Sequence, residues 1–240
     1  CREAGCSFCG GCNGKVLPFP EPVFAVPAVE RPGERPAVER IRLRFSKTGL
    51  SRFTSHLDMV RMWTKALRRS GLPMYYSPGY ARRMKLVFSQ PIPLGMGSEC
   101  EYLDFQLVES VDIHTVSASL LSVLPDGFRI TALKKLSGKY RSPDFLVTAA
   151  EYIIHGVDRI DKLIDYLSGS ELVSSISVLD NDRVCMVSDP RSRDSRPDRV
   201  LNAAGVECEF IVRSNIYVAD QTGQLVPVLA VSEGEIINEG

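Results

Sequence analysis

Cys1, Cys6, Cys9 and Cys12 fall within twelve residues, in the run CREAGCSFCGGC. Four soft thiolates at this spacing are the donor set of a zinc knuckle or an iron–sulfur cluster, and Gly5, Gly10 and Gly11 let the backbone wrap a small centre. The spacing leaves the metal open. Zinc usually takes C-x2-C pairs from separate turns, whereas C-x2-C-x2-C suits a cluster, and the Cys1, Cys6, Cys9 spacing matches plant-type ferredoxins. A disulfide reading needs an oxidising compartment, and seven cysteines leave one unpaired. Cys100, Cys185 and Cys208 stand alone in apolar surroundings, where buried inert thiols are expected.

The spacing is one residue longer than the C-x3-C-x2-C triad of radical S-adenosylmethionine enzymes, so a catalytic cluster of that kind is not expected. A chain opening on cysteine without methionine reads as a fragment, a trimmed chain or a processed product. A lipidated lipoprotein also begins at cysteine, but lipidation accounts for Cys1 alone.

A second chemistry-bearing stretch is basic. Between Ile41 and Lys85, eleven Lys and Arg residues are opposed by Asp58 alone, whereas Leu86 to Phe128 holds six acids and no Lys or Arg. The net charge of zero therefore conceals a segregation that predicts one cationic face. Arg52, Arg61, Lys65, Arg68, Arg69, Arg82, Arg83 and Lys85, with Tyr76 and Tyr80, supply charges for phosphates and rings or guanidinium planes for unstacked bases. RNA, structured or single-stranded, suits such a surface. The plainer alternatives are a merely solvated basic face, or a site for another anion. His56, near Asp58, Tyr76 and Ser77, is the one candidate acid or base for phosphodiester chemistry. Helical geometry puts His56 on the apolar side and Asp58 on the basic side, which favours a structural helix-entry role. No phosphate loop, nucleophile elbow or H-E-x-x-H helix is present.

These groups need elements to carry them. With 240 residues, 44% hydrophobic and 24% charged, the chain can bury one sizeable core or two small ones. No apolar run approaches the roughly 18 residues of a bilayer span, and no signal peptide is evident, so no membrane association and a cytoplasmic location are expected. Six prolines from Pro18 to Pro36 predict an extended linker. IRLRFS alternates as a strand. Ser55 caps a helix over SHLDMVRMWTKALRRS, with Leu57, Met59, Val60, Trp63, Ala66 and Leu67 facing a sheet. PMYYS, MKLVFSQ and EYLDFQLV read as strands, DIHTVSASLLSVL as a helix and FRITALKKL as a strand. This is the split βαβ succession of ferredoxin-like folds. FLVTAAEYIIHG, DRIDKLIDYLSG, SSISVLD, RVCMVSD, RPDRVLNAAG and VECEFIVRSNIYV repeat it more loosely. The expected organisation is α+β: a four-cysteine metal knuckle over 1–15, a proline-rich linker over 16–39, and two ferredoxin-like modules in tandem, a basic one over 40–138 and a second over 139–240.

The residues also carry a resemblance. A strand ending in F-S-K, then SHLD, ALRRSGLP, YSPG, and PLG before EYLD, resembles the uncharacterised domain of radical-SAM-linked proteins, which stands alone or is fused behind a radical SAM enzyme. RPDRVLNAAGV and Arg213 are similar to the end of that domain, and the cysteine run to the segment joining it to the enzyme. The resemblance implies a radical SAM partner, fused or separate, with S-adenosylmethionine reached only through it. Family members carry an N-P-x-P-K-like loop where this chain has Tyr80 to Lys85, and only the lysine persists, which favours an electrostatic role there. The expected function is an accessory, non-catalytic domain binding RNA, foremost transfer RNA, or another anionic substrate for the partner. The alternatives are an RNA-processing or redox enzyme in its own right, or a protein-interaction module.

Overall fold

A computed structural model describes residues 35–137, 141–220, 222–230 and 236–238. The cysteine run and the proline-rich segment lie outside them. Alternation of apolar and polar residues builds the first strand, β1 (Glu39–Lys47), which sends Ile41, Leu43 and Phe45 to one side. Helix α1 (His56–Arg69) follows a short 3-10 turn at Gly49–Phe53. The strands β2 (Val87–Phe88) and β3 (Gly97–Leu107), helix α2 (Ile113–Leu121) and β4 (Phe128–Lys135) complete the first half. After a one-turn helix α3 (Pro143–Leu146) come β5 (Ala149–His155), α4 (Ile160–Leu167), β6 (Ser175–Val178), β7 (Arg183–Ser188), α5 (Pro197–Ala204) and β8 (Phe210–Ala219), then the short β9 (Leu225–Pro227) and β10 (Ile236–Asn238).

Among the described residues the ten strands form a single mixed sheet in the order β10-β4-β1-β3-β8-β5-β7-β6, with β2 on β3 and β9 on β8. In the first half β1 lies antiparallel between β4 and β3, and β2 pairs antiparallel with the far side of β3. In the second half β5 lies antiparallel between β8 and β7, with β6 beyond β7. The two halves thus share one permutation of strands. They join where β3 and β8 run parallel, at Gly97↔Val212 and Ser98↔Arg213.

Two helix-side cores follow from this arrangement. Trp63, Leu67, Ile113, Val116 and Leu120 of the first two helices bury the apolar side of β1, β3 and β4. Phe45 and Trp63 meet edge to face, with ring centroids 4.8 Å apart. In the second half, Leu163, Val200 and Leu201 cover Tyr152, Ile154, Val184 and Met186. A third cluster, including Tyr102, Val147, Ile216, Val218 and Val228, lies on the other side of the sheet. That side is therefore covered as well.

Three expectations need correction. PMYYS makes only isolated bridges, Met74↔Leu107 and Tyr76↔Met84, because Pro73 and the Ser77-Pro78-Gly79 turn leave too few residues for a strand. MKLVFSQ contributes only Val87 and Phe88 to the sheet. Leu57, expected in the apolar half of α1, is 66% exposed because at about 100° per residue it falls nearly opposite Met59, away from the buried Met59, Trp63, Ala66 and Leu67.

Leu43 is fully buried, and Trp63 is the sole tryptophan. Leu43→Ala should cost about 2–5 kcal/mol. Urea unfolding followed by the fluorescence of Trp63 measures it, and a loss below about 1 kcal/mol contradicts the packing described.

Candidate nucleic-acid interface

The first helix is fixed at its start by Ser55, whose Oγ accepts from the Asp58 N–H at 3.2 Å and donates to Asp58 Oδ2 at 2.7 Å. Arg61 Nη1 donates to Asp58 Oδ1 at 2.9 Å, with both side chains exposed, so the pair adds little stability. The Ser55 hydroxyl first and Arg61 second hold the Asp58 carboxyl below its usual range. The outward side of α1 then carries Lys65, Arg68 and Arg69, all exposed and, among the described residues, without a carboxylate partner. Arg68 and Arg69 sit in the last turn, where the helix dipole favours cations.

A small closed loop presents the second group. The Ser77 N–H donates to the Arg83 carbonyl at 2.8 Å, and the Arg83 N–H donates to Ser77 Oγ at 3.2 Å. Gly79, at φ 105°, makes a turn that a β-carbon would strain. Tyr76 and Met84 anchor the loop against the core that α1 covers, which sets its tip at the margin of the same core. At that tip Tyr80 is fully exposed, at 101%, and Arg82, Arg83 and Lys85 are exposed with it. Tyr76 is thus an anchor and Tyr80 the free ring. Lys85 also borders a cavity of about 240 Å³, shared with Arg40, Asp104, Gln106 and Ser142.

Arg52 and His56 lie apart from these groups. Arg52 places its guanidinium carbon 4.8 Å from the Phe53 ring and 6.0 Å from Phe210 of β8, at the meeting of the two halves. Phe210 in turn stacks on His155 with centroids 4.3 Å apart. His56 meets Phe88 edge to face at 5.7 Å, and its Nδ1 is buried without a hydrogen bond. Asp58 is occupied by Ser55 and Arg61, and among the described residues no hydrogen bond joins an acid to the His56 side chain. Among the described residues no group of three or more His, Cys, Asp or Glu side chains is placed to hold a metal. Cys1, Cys6, Cys9 and Cys12 lie outside the described residues.

Sequence reasoning missed two buried ion pairs. Arg42 donates Nε to Asp104 Oδ1 and Nη2 to Oδ2, each at 2.8 Å, with side chains 0% and 4% exposed. Arg213 Nη2 donates to Glu101 Oε1 at 2.5 Å and to the Gln90 carbonyl at 3.0 Å, with Arg213 and Glu101 1% and 2% exposed. Lys47 Nζ nearby donates to the Thr54 carbonyl at 2.8 Å. Burial lifts the Asp104 carboxyl above its usual value and outweighs the pull of Arg42. Burial also lowers the Lys47 ammonium, against the opposing effect of Glu101, and pushes the Cys100 thiol up to about 12, which leaves it inert. The available signal was two acids inside an otherwise strand-like run, EYLDFQL, facing arginines on neighbouring strands.

Residues 40–221 match the family described as "Uncharacterized protein conserved in bacteria (DUF2344)". The chain belongs to this family. The match runs through both halves of the sheet, so the DUF2344 region contains the cationic loop, the outward side of α1 and both buried ion pairs. No curated protein matches the chain. No helix among the described residues is long and apolar enough to cross a membrane.

Removing one partner of a buried pair strands the other charge. Arg213→Met in this DUF2344 chain should therefore cost about 3–5 kcal/mol, and adding Glu101→Leu should restore most of the loss. Chemical denaturation of the single and double variants checks this. A double variant no more stable than Arg213→Met alone contradicts it.

Proposed function

We propose that the chain is an accessory, non-catalytic domain that binds RNA, foremost transfer RNA, for a radical SAM partner enzyme, fused or separate. One observation carries the reading: Lys65, Arg68 and Arg69 stand without acid partners among the described residues, and a loop anchored on the core that α1 covers exposes Tyr80 fully among Arg82, Arg83 and Lys85. Like charges gathered on one side repel one another, and an exposed ring gains nothing from the fold. A polyanion with unstacked bases relieves the first and uses the second.

We read the two halves as ferredoxin-like modules, because each has a strand–helix–strand–strand–helix–strand succession in the order fourth, first, third, second. The thiolates of Cys1, Cys6, Cys9 and Cys12 form a donor set that fits zinc or an iron–sulfur cluster, which would staple the N-terminal run. S-adenosylmethionine chemistry would belong to the partner alone. A docking role also has support. The Gly95 N–H donates to the Arg52 carbonyl at 3.0 Å, which sets Leu94 beside Phe53, and both are exposed, at 65% and 56%. Such apolar exposure suits contact with a partner protein.

The RNA reading predicts a mobility shift with small RNAs that weakens steeply with salt. Arg68→Glu with Arg69→Glu, or Arg82→Glu with Arg83→Glu, should abolish the shift near physiological salt, and at low salt each pair should flatten the log–log slope by about 1.4–1.8. Tyr80→Ala should weaken binding by about 1–3 kcal/mol. Unchanged binding in both charge-reversed pairs sinks this reading. For the metal, elemental analysis of the full chain should find zinc or iron that is lost when the four N-terminal cysteines become serine; an equal metal content would refute the knuckle.

A further inference from the structure

The segment between β7 and α5 meets residues 90–93 around a second cavity of about 340 Å³. This volume lies within the roughly 300–1,000 Å³ of small-molecule sites. Its lining is of two kinds. Arg191, Arg193 and Arg196 supply guanidinium groups, while Ile92, Tyr152 and four prolines supply apolar surface.

Two of the arginines are held in place. Arg191 donates Nε and Nη2 to Asp189, both at 3.0 Å, and Arg196 donates Nε and Nη2 to Asp198 at 3.1 and 2.8 Å. Each bidentate pair fixes a guanidinium plane and leaves Nη1 without a hydrogen bond among the described residues. Arg193 is exposed and has no acid partner among them. Helix α5 begins at the same rim, and its N-cap residue, Arg196, makes no side-chain cap.

The rear of the cavity is braced. Arg213, 1% exposed, donates to the Gln90 carbonyl and lies beside the Tyr152 hydroxyl, while its Nε is buried without a partner. Gln90 and Tyr152 are both lining residues, so one buried cation steadies two parts of the wall.

We propose that this cavity binds a phosphate monoester carrying a flat apolar body, with the phosphate on Arg191, Arg193 and Arg196 and the body against Tyr152, Ile92 and the prolines. A free nucleoside 5′-monophosphate and the 5′-phosphate end of an RNA share this chemistry. The site lies in a different part of the chain from α1 and the Tyr80 loop, and it stands whether or not those groups bind RNA.

Isothermal titration calorimetry on the whole chain tests it, with adenosine 5′-monophosphate, adenosine, and a trinucleotide RNA with and without its 5′-phosphate. The monophosphate should bind at least tenfold more tightly than adenosine. Arg193→Glu should weaken it at least tenfold, and Arg193→Gln should do so to a smaller degree, whereas Arg129→Glu, at an exposed cation in neither proposed site, should leave it unchanged. A gain from the 5′-phosphate on the trinucleotide assigns the site to RNA ends, and binding of the mononucleotide alone assigns it to a free ligand. The proposal is overturned by equal affinity for adenosine, by undiminished binding in Arg193→Glu combined with Arg196→Ala, or by no binding of any phosphate at millimolar concentration.

Discussion

The two halves of the sheet touch through very little backbone. Gly97 and Ser98 of β3 pair with Val212 and Arg213 of β8, and the rest of that edge of β3 is taken partly by β2, at Leu103 and Asp104. A β-carbon at position 97 would make only ordinary contact, 3.4 Å from Val212 and 3.6 Å from the Lys47 carbonyl, so the closeness of the strands here does not rest on glycine. Beside that short contact, Arg213 reaches from the second half to Glu101 and to the Gln90 carbonyl of the first. Burial works against the Arg213 charge, but the Glu101 carboxylate opposes that effect and the guanidinium stays protonated. Removing either charge would strand the other beside this short contact, so the pair restricts how the two halves can meet.

Charge is sorted by the same logic. Two strand arginines, Arg42 and Arg213, point into covered space and are matched by the β3 acids Asp104 and Glu101. Cations on α1 and in the Tyr80 loop point to solvent and find almost no acids, apart from Asp58 at the helix start. The acid-rich stretch from Leu86 to Phe128 contributes two of its β3 carboxylates, Glu101 and Asp104, to the interior pairs. Two local acids are thus committed to the interior and cannot neutralise the surface proposed to bind RNA.

Much of the framework was legible in the sequence. The alternation of IRLRFS, the Ser55 cap and the apolar spacing of Met59, Trp63, Ala66 and Leu67 predicted β1 and α1, because periodicity and capping are local. The repeated succession of elements was visible for the same reason. The joining of both halves into one sheet was not, since it depends on pairing between Gly97 and Val212, residues more than a hundred positions apart. Arg42 and Arg44 read as the wet side of a half-buried strand, but Val147, Val228 and Leu229 cover that side from distant parts of the chain. Tyr76, read in a strand, and Tyr80, read in the loop after it, were both candidates for stacking on bases. Only the bridge from Tyr76 to Met84 separates the anchor from the exposed ring.

Ultraviolet cross-linking of a bound small RNA to the full chain, with the adducts mapped by peptide mass spectrometry, tests RNA binding at this surface most directly. Tyr80 stands alone at the loop tip among exposed cations, so the dominant adduct is expected on the peptide containing it. Adducts confined to the second half, with none between Arg61 and Lys85, would contradict a binding surface built from α1 and the Tyr80 loop.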